Sequence, residues 1–230
     1  MSTASTAPGH RHHHAHHFES AEHEYHTSKL GTWMFLVTEI LMFGGLFVGY
    51  ILFHEKYPEM FHEGSRFLNW RLGALNTVVL LVSSLTMALS IYYAQLNKRH
   101  LTLLNLYVTF ACGCIFMMVK AYEYTHKFSE GLFPGNYFNP LEPEVQEMAK
   151  HLVEKGGGHL GMYFSFYFVM TGLHGSHVLV GMGLILWLIR RAHRGDFDSS
   201  YYTPLECVGL FWHLVDLIWI YLFPLLYLVG

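Results

Sequence analysis

The sequence predicts an all-α fold, namely a polytopic membrane helix bundle with five transmembrane helices. Composition is the first reason: 52% of the 230 residues are hydrophobic and only 13% are charged, whereas a typical soluble domain has about 25% charged residues. Length is the second reason, because five apolar runs can each supply the roughly 20 residues that a spanning helix needs. Those runs cover about residues 31–53, 73–95, 101–124, 159–189 and 205–229.

A histidine-rich polar tail, residues 1–28, is predicted to precede a membrane domain at 29–230. Because the first thirty residues have almost no apolar side chains to bury, we expect little intrinsic structure in them. Arg11 and Ala15 interrupt the histidine run, which favours a native segment over an expression tag. Two interpretations stay open for this tail: a solvated extension, or metal binding and proton buffering.

The orientation of the bundle is predicted from its basic connections. Five spans place the two termini on opposite sides of the membrane, and Lys and Arg near helix ends favour the cytoplasmic side. The short connections after the second and fourth spans carry such residues, so the amino terminus is predicted inside and the carboxyl terminus outside. The basic residues are Lys98, Arg99, Arg190, Arg191 and Arg194.

Charge and cysteine content exclude two classes of function. The formal net charge of -3 comes without any block of Lys or Arg, which excludes a nucleic-acid partner. The cysteines Cys112, Cys114 and Cys207 lie in or beside apolar runs, and no second closely spaced pair completes a zinc site. They are predicted to be packing residues.

The acidic connection at 125–158 contains one stretch that resembles an amphipathic helix. In EPEVQEMAKHLVEK, four apolar residues fall on one helical side. The connection is interpreted either as a plain linker or as a docking surface. The apolar residues are Val145, Met148, Ala149 and Leu152.

Ionisable residues inside the predicted spans are the main functional signal. Helix rise places Glu39 about 12 to 15 Å along the first span, and His213 and Asp216 about 12 and 16 Å along the last. His177 lies at a similar depth, about 18 Å from the inner end of the fourth span. If the fourth and fifth spans are neighbours, their polar residues form one interhelical network. The candidate residues are Glu39, His174, His177, Glu206, His213 and Asp216.

Three functions fit these residues by spacing alone: a polar lock, meaning buried polar groups that fix helix packing, a proton path, and haem or copper ligation. A charge at the depth of Glu39 costs about 2.5 to 3.5 kcal/mol on insertion scales, so we expect this carboxyl to be either protonated or paired. Lys120 and Glu123 lie one turn apart near the outer interface. They are predicted to pair with each other, to snorkel, or to contact a lipid headgroup.

Taken in order, six stretches of the chain resemble subunit III of haem-copper terminal oxidases, the cytochrome c oxidase subunit 3 family. Together they extend over nearly all of residues 31–229. Each one is short, but their shared order across five spans makes the resemblance specific. The stretches are TEILMFGGLFVGY with Glu39, LNTVVLLVSS, LNKRHL, KAYEY with Glu123, TGLHGSHVLVG with His174 and His177, and LECVGLFWHLVDLIWIYLFPLLY with Glu206, His213 and Asp216.

The resemblance implies a subunit without redox centres, packed against a catalytic subunit I that holds haem and copper. It also implies a polar lock, rather than metal, at His174, His177 and His213. Members of the family support stability, proton uptake and resistance to turnover-linked damage, and they hold phospholipids in a cleft. This chain is therefore expected to carry no catalytic, cofactor or metal site of its own.

The implied complex oxidises cytochrome c, reduces oxygen to water and pumps protons across the bacterial inner membrane. Its expected partners are subunit I, other oxidase subunits, phospholipids and, through the complex, cytochrome c or another electron donor. An equivalent subunit of a quinol oxidase or a nitric oxide reductase is the alternative. The chain lacks the first two helices of seven-helix members, as five-helix bacterial members do.

Two functions from other classes of membrane protein compete with this family assignment. A haem-bearing membrane anchor would ligate haem through two histidines of the fourth and fifth spans. A small proton-coupled transporter is disfavoured because the sequence has no paired halves with broken helices. The visible absorption spectrum of the isolated chain distinguishes the haem anchor from the other candidates.

Overall fold

The computed structural model describes residues 21–134, 138–199 and 201–229. Within these ranges, seven α-helices contain most of the residues. Within these ranges the extended pairings are isolated bridges only, so the all-α prediction is confirmed. Five of the helices are long and apolar enough to cross a membrane: α1, α3, α4, α6 and α7. The bounds are α1 Ala21–Lys56, α2 Pro58–Ser65, α3 Trp70–Gln95, α4 Arg99–Ser129, α5 Pro143–Glu154, α6 Leu160–Arg194 and α7 Thr203–Tyr227.

The first membrane helix is longer than the sequence predicts. Residues 21–30 were expected to have little structure, but they form the first turns of α1. The physical reason is a contact with α7, because Lys29 Nζ lies 3.0 Å from Glu206 Oε2 and also contacts the Tyr25 hydroxyl. The remaining tail histidines, within residues 1–20, lie outside the described residues.

The two short helices cover one end of the bundle, here called the cap end. The predicted amphipathic helix is confirmed as α5, in which Val145 and Leu152 are buried. Helix α2 was not predicted; it begins at Pro58, a residue suited to the first helical turn. Its Phe61 packs edge-on against Tyr50 of α1, with ring centroids 4.7 Å apart. The opposite end, called the basic end, carries the α3–α4 and α6–α7 connections.

Local sequence signals set the bounds of the long helices. Asn69 precedes α3, and its side chain accepts a hydrogen bond from the Arg71 amide at 3.1 Å. His159 caps α6 in the same way through the Gly161 amide. Helix α6 ends at Arg194 and is followed by Gly195, whose φ of 83° lies in the left-handed region that favours glycine.

Helix α7 lies at the centre of the bundle and packs against α1, α3, α4 and α6. Its two indoles, Trp212 and Trp219, are fully buried. Each donates its Nε1–H to a hydroxyl of α3: Trp212 to Ser83 at 2.8 Å, and Trp219 to Thr77 at 3.1 Å. The small polar residues of α3 therefore satisfy the tryptophans of α7 while letting the two helices approach closely.

Helix α1 lies at the edge of the bundle and contacts it along one stripe. Leu36, Phe43 and Tyr50 recur every seven residues and are buried, as expected for a helix with a single packed face. The Tyr50 hydroxyl donates to the Leu225 carbonyl of α7 at 2.7 Å. Most other apolar side chains of α1 point away from the bundle.

The close approach of α6 to α7 requires a glycine at position 181. A Cβ added there would lie 2.7 Å from the buried ring of Trp212. We therefore predict that Gly181→Ala lowers the thermal stability of the protein by about 1 to 3 kcal/mol through overpacking. Thermal unfolding in detergent, followed by circular dichroism, measures the change.

Gly183→Ala on the same helix is the matched control, because a Cβ at Gly183 meets nothing within 4 Å. It should leave stability unchanged or raise it by up to about 1 kcal/mol, because alanine is the better helix former. Equal losses in the two variants would show that the Gly181 contact with Trp212 is not what limits packing.

Candidate functional site

The polar residues predicted inside the spans are distributed over several contacts. Glu39 of α1 pairs with His177 of α6, with Oε2 and Nε2 2.9 Å apart. Both side chains are mostly covered, 14% and 17% exposed respectively. The other ring nitrogen of His177, Nδ1, lies 2.8 Å from the Leu173 carbonyl oxygen.

This arrangement fixes how many protons the Glu39–His177 pair holds. A carbonyl oxygen only accepts, so Nδ1 of His177 must carry a proton and donate it to Leu173. A second proton must then lie between Nε2 and the carboxyl oxygen, because otherwise two acceptors would face each other at 2.9 Å. With that proton on either partner the pair is neutral overall. The expectation that Glu39 is either protonated or paired agrees with this contact.

Lys120, Glu123 and Tyr227 form a closed triangle that joins α4 to α7. The Lys120 ammonium donates to Glu123 Oε2 at 2.9 Å and to the Tyr227 hydroxyl at 2.8 Å. Tyr227 in turn donates to Glu123 Oε1 at 2.6 Å. The ammonium also lies 4.7 Å from the ring centroid of Trp219, within cation–π range.

The pairing of Lys120 with Glu123 was one of three arrangements expected from the sequence. Both residues are buried, 6% and 4% exposed, so their charges are held by each other rather than by snorkelling. Glu123 nevertheless lines a surface cavity of about 300 Å³ at the cap end, together with Arg66 and Lys127. Contact with a lipid headgroup there stays a prediction.

Two further predicted residues, in the amino-terminal half of α7, contact other helices. His213 Nδ1 lies 2.7 Å from the Ser84 hydroxyl of α3. Glu206 forms the ion pair with Lys29 of α1 that was described above. Each contact ties α7 to a different neighbouring helix.

The remaining predicted residues, His174 and Asp216, lie in the core. They are 0% and 3% exposed. The ring nitrogens of His174 have no hydrogen-bond partner within the described ranges, whereas the Asp216 carboxyl lies beside the Ser84 hydroxyl of α3. The His174 ring packs against Phe116 and Trp219, with centroids 5.5 and 5.3 Å away.

The single network expected between the fourth and fifth spans is thus not formed by direct hydrogen bonds. The reason is helical geometry: residues three apart point about 60° away from each other around the axis. His174 therefore faces the core while His177 faces α1. On α7, His213 and Asp216 both face α3 at Ser84, with His213 half-buried and Asp216 buried.

Sequence reasoning missed several partners of these residues. Tyr227 and Trp219 were not among the candidate residues, although both contact the Lys120 ammonium. Their spacing from Asp216 along α7 places all three on the buried side, which was a usable signal. Lys29 precedes the predicted first span, 31–53, and so was not considered as a partner of Glu206.

Within the described part of the chain, no three His, Cys, Asp or Glu side chains are grouped so that they could hold a metal ion. The three cysteines are free thiols. The expectation that this chain carries neither metal nor cofactor stays a prediction.

Comparison with known proteins gives a consistent set of relatives. A family model described as "Cytochrome c oxidase subunit III" matches residues 159–230. "Probable quinol oxidase subunit 3" of Staphylococcus haemolyticus is 31% identical over 214 residues, which is 92% of this chain and 94% of the relative. Proteins with the same name from Staphylococcus epidermidis and Staphylococcus aureus are 28% and 27% identical, covering 95% and 92% of this chain and 96% and 94% of the relatives.

The buried charge pair of α4 yields a sharp prediction. Lys120→Met leaves Glu123 without its counter-ion, and Glu123→Gln does the same to Lys120. Each single change should cost about 3 to 5 kcal/mol, because a lone buried charge is left behind. The double variant should cost less than either single change, since both charges are gone and the amide oxygen still accepts from Tyr227. Thermal unfolding in detergent measures all three.

The exposed pair Arg66–Glu63 is the control, as the Arg66 side chain is 61% exposed. Glu63→Gln should change stability by about 0 to 1 kcal/mol. A double variant as unstable as the sum of the two single variants would contradict the interpretation of a coupled buried pair.

Proposed function

Because this chain belongs to the subunit III family of haem-copper oxidases, we propose that it is subunit III of a terminal oxidase that takes its electrons from a quinol. The names of its relatives support this donor. The resemblance in the sequence alone had implied cytochrome c, with quinol as the alternative. The alternative is the better supported of the two. Oxygen is the proposed electron acceptor, with water as product.

The chain is an integral membrane protein, as its five apolar helices and its relatives indicate. Its partners are the other subunits of the oxidase complex. In the proposed complex, haem and copper reside in the catalytic subunit, and this chain contributes no redox group. Its role is to stabilise the catalytic subunit and to sustain proton uptake.

The geometry of the buried polar groups supports a role without metal ligation. Both ring nitrogens of His177 are occupied, by Glu39 and by the Leu173 carbonyl. Nδ1 of His213 is engaged by Ser84. These histidines join one helix to another, which is the work of a polar lock: holding helix packing in a medium where an unpaired polar group costs free energy.

The proposed topology keeps the amino terminus inside and the carboxyl terminus outside. Five basic residues at the basic end support it: Lys98 and Arg99 at the start of α4, and Arg190, Arg191 and Arg194 in the last turns of α6. In this orientation the basic end faces the cytoplasm, and α2 and α5 face outward. Cleavage of the 1–28 tail by protease added only to the outside of sealed vesicles would reverse this assignment.

The electron donor is tested on the intact complex. We expect that a carboxyl-terminal affinity tag on this chain co-purifies a larger subunit with haem and copper in mild detergent. That preparation should consume oxygen with a reduced quinol and show no turnover with reduced cytochrome c. An oxygen electrode measures both rates.

The two parts of the proposal fail separately. Turnover with reduced cytochrome c but not with quinol would reject the donor and keep the subunit assignment. Recovery of the tagged chain, fully folded, with no haem-containing partner would reject the subunit assignment itself.

A further inference from the structure

The imidazole of His213 has one nitrogen bonded within the chain and one that is open. Nδ1 lies 2.7 Å from the Ser84 hydroxyl of α3, and the buried Asp216 carboxyl lies beside the same hydroxyl. Nε2 has no hydrogen-bond partner within the described residues. It is not enclosed by them either, because the ring is only half-buried. The three side chains, here called the polar notch, therefore present one open atom at the surface of the bundle.

The depth of His213 makes an open nitrogen unfavourable. The residue lies about 15 Å along the axis from the start of α7, well inside the span. Acyl chains neither donate nor accept hydrogen bonds, so lipid leaves an imidazole nitrogen at this depth unpaired. Other predicted residues at similar depth differ: Glu39 and His177 pair with each other, and His174 is enclosed in the core. His213 Nε2 therefore needs a polar group from outside the chain.

The open nitrogen lies in a groove between α1 and α3. Both helices pack against α7 but hardly contact each other, so α7 keeps an uncovered stripe between them. Helix α3 meets one edge of this stripe where Ser84 contacts His213. Helix α1 meets the other edge where Phe47 packs on Tyr221, with ring centroids 6.3 Å apart. Leu217, which is 49% exposed, lies between these two edges on the floor of the groove.

We infer that this groove receives a transmembrane helix of the catalytic subunit, which presents a hydrogen-bonding side chain to Nε2 of His213. Two helices packed on a third leave a groove that suits a fourth helix. The apolar floor supplies close packing and the polar notch supplies a polar contact, the two interactions that associate helices in lipid. A lipid chain would fill the groove and leave Nε2 unpaired. The inference rests on the proposed function and adds to it the face by which this chain binds its partner.

Photo-crosslinking in the intact complex tests the occupant of the groove. The photoreactive residue p-benzoylphenylalanine replaces Leu217 in one variant and Leu179 of α6 in the other. Leu179 is the matched control, because it is 55% exposed and lies outside the groove. Both side chains point away from the core, so neither replacement disturbs it. The complex is illuminated and purified, and mass spectrometry identifies each covalent adduct.

The expected result is an adduct between position 217 and the haem-bearing subunit, with none from position 179. Adducts from position 217 to lipid, quinol or a second copy of this chain alone would overturn the inference. Equal adducts to the catalytic subunit from the two positions would also overturn it. A preparation that lacks any haem-bearing subunit would reject the proposed function, and this inference with it.

Two substitutions at His213 separate the roles of its two nitrogens. Counted along the side chain, the amide nitrogen of glutamine stands where Nε2 does, and that of asparagine stands where Nδ1 does. In the complex with the crosslinker at position 217, His213→Gln should keep the adduct and His213→Asn should lose most of it. The reverse order, or equal yields, would show that Nε2 does not bind the partner. The comparison of positions 217 and 179 needs neither variant to fold.

Discussion

The structure depends on one constraint: polar side chains within the membrane spans need partners from neighbouring helices. Lipid offers none, so each such group either finds a side chain or backbone group nearby or carries a free-energy cost. Helix α7 receives most of these groups. It binds α1 through Glu206, α3 through His213 and the two indoles, and α4 through Tyr227. Hydrophobic burial cannot bind these helices, because lipid is as apolar as the helix surfaces; close packing and polar contacts do.

The interhelical contacts differ in strength and in the charge that they carry. The Lys120–Glu123 pair is enclosed and charged, so loss of either partner is expensive. Interhelical hydrogen bonds such as the one between His213 and Ser84 average only about 0.6 kcal/mol, because the unfolded chain in the membrane also finds partners. The Glu39–His177 pair shares a proton yet remains neutral overall, which lets a carboxyl and an imidazole lie together between α1 and α6. Together these contacts describe a subunit whose polar groups maintain its shape.

Much of the fold was predictable, because five long apolar runs and an amphipathic pattern are strong signals. The family was predictable too, from short stretches in a fixed order. The pairing of polar residues was not. Depth along a helix is set by rise per residue, so Glu39 and His177 were correctly placed at similar depth. Direction around the axis depends on how each helix is rotated against its neighbours, and for that reason His174 and His177 were wrongly assigned to one network. The start of α1 was missed because its early turns are stabilised by a distant residue, Glu206.

The central claim is that the buried polar groups hold the helices together and do not carry the reaction. The most direct measurement is the oxygen-consumption rate per haem of the assembled complex carrying His213→Leu, followed from the first turnovers until activity is lost. The account predicts an unchanged initial rate and an unchanged haem spectrum, with weaker retention of this subunit and a shorter active lifetime. An initial rate near zero in a fully assembled complex would contradict it, because His213 would then belong to an obligatory proton path.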